Sequence, residues 1–142
     1  MPWIIAAVVI LLLMARSTAN ATMTPPNGES GQEFRLRQLA DAIGQIEGGS
    51  VSNPGNIRDS SGAIGQSGDL LTLLRRGFIT GGSRYYSPDM TFTEFAWMYV
   101  SGTTPGDTSK VIKGDNPDNW AAFVAGKLGV SVDSTVGDFV NS

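Results

Sequence analysis

Apolar positions along the chain fall into three kinds of run. The first is continuous. From Pro2 to Ala15 nearly every residue is apolar, with Trp3, Ile4, Ile5, Val8, Val9, Ile10, Leu11, Leu12, Leu13 and Met14 dominating. Fourteen helical residues span about 21 Å, less than a bilayer core of about 30 Å. By length this is the apolar region of a signal peptide, and Ala19-Asn20-Ala21 supplies a small-x-small cleavage pattern. No Lys or Arg precedes the run and Arg16 follows it, which fits a short uncleaved anchor extended to Met23 equally well. Either way, residues 1–21 predict export or attachment to a membrane. Residues 22–31, with two prolines and two glycines, form a linker. The folded domain is expected over residues 32–142.

The second kind of run has helical periodicity. Leu36, Leu39, Ala40, Ile43 and Ile46 share one stripe. Ser30 and Glu33 have capping-box spacing before it, and Gly48-Gly49 follow it, so a helix is predicted over about 31–47. Asp69 to Arg76 predicts a short helix stopped at Gly77. Thr91 and Glu94 form a second capping box, opening a helix through Phe95 and Met98 to about Val100. Asn116 is an N-cap with Pro117 at the first helical position, and Gly129 ends that helix, which carries Trp120, Ala121, Phe123, Val124 and Leu128. Trp120 is assigned to the core. A last short helix runs from Ser134 to Val140. The third kind is sparse. Ser50 to Gly68 is turn-rich, with short strands expected around Ile57 and Ile64, and Phe78 to Ser87 reads as a loop or small hairpin. The sum is a mainly α (α+β) domain with one small β element.

Composition narrows the chemistry. The 142 residues contain no Cys and no His, which excludes a disulfide scaffold, a thiolate or His-based metal site, and a Ser-His-Asp triad. Acid–base work falls to Asp, Glu, Lys or Tyr, and no cofactor is implied. A net charge of −3 gives no reason to expect nucleic-acid binding.

Glu47 breaks the pattern of its own helix. At about 100° per residue from Leu36, Ala40 lies near ~40°, Ile43 near ~−20° and Glu47 near ~20°, the middle of the apolar stripe. A carboxyl group there faces the core or a cleft. Desolvation and the negative end of the helix dipole both favour its protonated form, as a general acid for glycosidic cleavage requires. The alternative is a last-turn side chain frayed into solvent.

Ile46-Glu47-Gly48-Gly49, followed by Ser52-Asn53-Pro54-Gly55-Asn56-Ile57-Arg58, resembles phage and bacterial lysozyme-like lytic transglycosylases and muramidases. In that family a helix ending in Glu-Gly precedes an Asn-Pro-Gly-Asn turn. The likeness continues at Phe92 to Tyr99, at Asp118-Asn119-Trp120, at Val124 to Val130 and at the acidic-small-Thr start of the last helix, so it covers about residues 34–140. It implies a lysozyme-like fold acting on peptidoglycan glycan strands. Glu47 would be the catalytic acid and then base, Asn53, Gly55 and Asn56 would shape the substrate cleft, and Tyr99 would project toward the sugar. Glu47 would protonate the oxygen between N-acetylmuramic acid and N-acetylglucosamine, then take the proton of the 6-hydroxyl as a 1,6-anhydro ring closes. No metal is implied. The chain departs from the family at Ser60 to Ser67, which has no aromatic residue where an aromatic strand segment is usual. A hydrolytic muramidase would need a second carboxylate, for which Asp59 and Asp69 are the nearby candidates. A membrane-anchored structural protein of a virion or envelope that has lost activity is the third reading.

Overall fold

A computed structural model describes residues 28–48 and 67–142. Both ends of the first helix follow the sequence. α1 (Gly31–Glu47) starts at Ser30, whose hydroxyl accepts from the Glu33 amide, and ends at Gly48, which turns the chain with φ 61°. That left-handed conformation is cheap for glycine and strained for other residues. The reciprocal half of the expected capping box does not form. The Glu33 carboxylate instead accepts from Arg75 Nε and Nη2, at 2.7 and 2.8 Å, and pins α1 to the next helix.

α2 (Ser67–Arg75) runs directly into a π-helical turn (Arg76–Thr80) that ends at Gly81. Gly77 therefore does not stop the helix. Its role is close approach: a Cβ there would lie 2.7 Å from Tyr86 Cβ. Phe78 to Thr80 belong to this turn and 81–87 form a loop, so the segment is not a hairpin.

α3 (Phe92–Ser101) opens on a complete capping box, with Thr91 Oγ1 accepting from the Glu94 amide and Glu94 accepting from the Thr91 amide. Such caps typically contribute about 1 kcal/mol. α4 (Pro117–Leu128) is capped by Asn116 and ends at Gly129. Phe123 points outward from it, with Lys127 Nζ over its ring. A 3₁₀ turn at Thr108–Lys110, without a signal in the apolar pattern, lies between α3 and α4. α5 (Val136–Val140) is capped by Thr135 and starts two residues later than expected.

Among the described residues there is no strand. The β content is one antiparallel bridge between Thr91 and Thr135. Around it Phe92 N–H donates to Ser134 O at 3.1 Å and Val136 N–H to Met90 O at 2.8 Å, so the starts of α3 and α5 hold each other. The strands expected around Ile57 and Ile64 lie outside the described residues.

The domain is mainly helical. α3 packs on α4, and α1 packs on α4, α2 and α5. Leu36, Leu39 and Ile43 of α1 meet Leu70, Leu74, Phe78, Phe95 and Val124 in one buried cluster. The first and last helices also touch at their free ends, where Gln32 Nε2 donates to Asn141 Oδ1 at 2.7 Å. Among the described residues no helix is long and apolar enough to cross a membrane; the apolar run of residues 2–15 lies outside them.

Candidate active site

Glu47 is the last residue of α1, half-buried, on the wall of a cleft of about 650 Å³. The cleft is built from three places. α1 contributes Ile46 and Glu47. Tyr86, Tyr99 and Trp120 form an aromatic side. Gly114, Asp115, Asn116 and Asn119, from the loop and first turn of α4, give a polar rim.

One hydrogen bond locks Glu47 in place. Trp120 Nε1 donates to Glu47 Oε1 at 2.5 Å, across 73 residues of sequence. Trp120 is 5% exposed, so the core assignment holds, yet its indole N–H reaches out of the core to the cleft. A buried indole N–H needs an acceptor, and a carboxyl group on an apolar stripe needs a donor. Each satisfies the other.

Aromatic packing fixes the indole itself. Tyr99 lies 5.1 Å from Trp120 between ring centroids, tilted by 32°, and Phe95 meets it edge-on at 5.5 Å. Phe95 and Tyr99 are four residues apart on α3 and so share a face. Tyr86 and Phe78 close on Phe95 from the other side, at 5.4 and 5.2 Å. Burial pushes the Tyr86 phenol up to about 12. Burial, then the charge of Glu47, then Tyr86, push the Tyr99 phenol up as well. Both phenols stay protonated near neutral pH. Neither is therefore a base in the cleft at that pH.

The stretch Asp118-Asn119-Trp120 divides three tasks. Asp118 Oδ1 accepts from Trp97 Nε1 at 2.7 Å and ties the start of α4 to α3. Asn119 lines the cleft, and its amide caps onto Asn116 Oδ1 at 3.1 Å. Trp120 holds Glu47.

Of the sequence-derived site residues, Glu47 and Tyr99 come together in this cleft. Asn53, Gly55, Asn56 and Asp59 lie outside the described residues, as does the side chain of Asp69. The sequence reading missed Tyr86, Asp115, Asn116 and Asn119, and the polar role of Trp120. The usable signal was local only for Asn116, as a cap. Among the described residues no group of Asp and Glu is placed to hold a metal ion. No family model matches the chain, and no curated protein and no solved structure matches it.

Proposed function

We propose that the chain is a lysozyme-like lytic transglycosylase that cleaves the bond between N-acetylmuramic acid and N-acetylglucosamine in peptidoglycan, with Glu47 as acid and then base. The observation that carries this reading is the position of Glu47, on the wall of an open cleft with one carboxyl oxygen held by Trp120 Nε1. A general acid–base group must be held still at hydrogen-bond reach of the scissile oxygen. Glu47 would protonate the bridging oxygen, and the substrate's acetamido oxygen would stabilise the oxocarbenium-like state. Glu47 would then accept the 6-hydroxyl proton as the anhydro ring closes. Tyr99, neutral and beside it, would hydrogen-bond the sugar. The N-terminal apolar run would deliver the domain to the cell envelope or hold it at a membrane, whether there or in a virion.

A second reading rests on Asp115, which lines the same cleft. A second carboxylate at suitable range can activate water, and the reaction is then hydrolysis by a muramidase.

Purified peptidoglycan and mass spectrometry of the released fragments test both. Glu47→Gln should lower cleavage by about 10²–10⁴-fold or more, with folding kept by circular dichroism. Products lighter by one water mark the anhydro route, and they should persist in Asp115→Asn. Hydrolytic products that disappear in Asp115→Asn would establish the muramidase. Full cleavage by Glu47→Gln would remove Glu47 from the mechanism.

A further inference from the structure

The cleft adjoins a second groove. Leu73 and Tyr86 line both, and the second, of about 460 Å³, is walled by Thr72, Arg76, Arg84 and Tyr85. The two differ in charge. Among the described residues, those lining the first include Glu47 and Asp115 and no Lys or Arg, and those lining the second include two arginines and no acid.

These two guanidinium groups differ from their neighbours. Arg37 pairs with Glu29 and Arg75 with Glu33, while Arg35 bonds Gln38 and lies over Phe139. Arg76 makes a long contact of 3.5 Å to Gly82 O. Among the described residues Arg84 has no carboxylate partner. Both are exposed, as is Tyr85 at 60%. The backbone presents them firmly. Arg76 sits in the π-helical turn, and Ser83 Oγ accepts from the amides of Tyr85 and Tyr86 at 3.2 and 3.1 Å, which fixes the loop carrying Arg84. A guanidinium presents paired N–H groups that match a carboxylate, and an exposed tyrosine adds a flat face for peptide or sugar.

We infer that this groove is a carboxylate-binding arm that takes the acidic peptide substituents of a glycan whose sugars occupy the Glu47 cleft. The inference rests on the proposed action on peptidoglycan, whose muramic sugars carry peptides with free carboxylates. The glycan follows the acid-lined cleft, and the peptide branches past Tyr86 to Arg76 and Arg84.

The test is co-sedimentation of the full chain carrying Glu47→Gln, which leaves the polymer intact. One arm uses peptidoglycan with its peptides, and the other uses the same glycan after an amidase has removed them. The peptide-bearing polymer should be bound more tightly. Arg84→Ala, an exposed loop change, should weaken that binding by up to about fivefold at low salt. Arg76→Ala with Arg84→Ala should abolish the preference and leave binding to bare glycan unchanged. Raising salt from 0.01 to 0.15 M, which shortens the screening length from about 30 to about 8 Å, should shrink the preference in the unsubstituted arm only. Equal binding of both polymers, or a preference that survives both substitutions, overturns the inference. Cleavage assays report separately on Glu47: loss of cleavage in Glu47→Gln with no peptide preference would retain the proposed reaction and reject this arm.

Discussion

Two tryptophans make the same bond in two places. Trp97 Nε1 donates to Asp118 Oδ1 at 2.7 Å, and Trp120 Nε1 donates to Glu47 Oε1 at 2.5 Å. Both indoles are nearly buried, at 6% and 5% exposure. The difference lies in the acceptors. Asp118 is exposed in the first turn of α4, near the positive end of that helix's dipole, and its bond joins two packed helices. Glu47 is half-buried at the end of α1, against a cleft with two neutral phenols beside it. Under the proposed reaction, the same interaction is a fastener in one region and a positioning device in the other. What separates the roles is whether the carboxyl group borders space that a substrate can enter.

Matched substitutions break the comparison most directly. Trp120→Phe removes the donor and keeps a ring among Phe95 and Tyr99. A displacement of about 1 Å at a reacting group can cost about a hundredfold in rate, and peptidoglycan cleavage should fall by about that factor. Trp97→Phe removes the same atoms elsewhere. It should leave the rate within about threefold while lowering stability in urea by about 1–3 kcal/mol, the cost of unmaking such a bond. Equal loss of activity in both would make Trp120 a packing residue only.

Gly77 sharpens the structural side. In Gly77→Ala the new methyl meets Tyr86 Cβ at 2.7 Å, so the π-helical turn or the Tyr86 loop must shift. A cost of about 1–3 kcal/mol is expected in thermal or denaturant unfolding. An unchanged midpoint would show that the turn yields without strain.

The smallest effect belongs to the bridge between α1 and α2. The hydrogen bonds from Arg75 hold the Glu33 carboxyl below its usual value of 4.5. A depressed folded value means stability that is present above the unfolded value and lost as pH falls through the folded one. Acid should therefore weaken the protein progressively below about pH 4.5, and Glu33→Gln should remove that part of the pH dependence. Both ends are partly exposed, and solvent screening limits the pair to at most about 1 kcal/mol. Identical acid unfolding curves for the two proteins would assign the loss to other carboxylates.

Local chemistry made the helices legible. Ser30, Thr91 and Asn116 cap where the sequence places caps, and the stripe on α1 points Glu47 away from open water. The failures share a physical origin. Gly77 has the identity of a stop signal, but the Tyr86 side chain occupies the space a side chain there would need, and nothing within α2 announces Tyr86. Tyr85 and Tyr86 look equivalent as a pair, yet one is exposed and the other packs on Phe78 and Phe95. Glu33 sits at capping-box spacing and is taken by an arginine 42 residues away. Trp120 and Glu47 each carry a polar atom on an apolar face without a local partner. Read together they point to one another; read separately, one was a core residue and the other a candidate acid. Asn53 to Asn56 lie outside the described residues.

The contact between Gln32 and Asn141 sets the reach of the domain. Because the start of α1 and the end of α5 meet, whatever chain leads into α1 grips the domain at that end, close to its other terminus. Glu47 sits at the opposite end of the same helix. The sixteen rises of about 1.5 Å from Gly31 to Glu47 put about 24 Å of helix between the grip and the cleft. If the preceding segment is held in a bilayer, the length of α1 bounds how far from the lipid the cleft can stand.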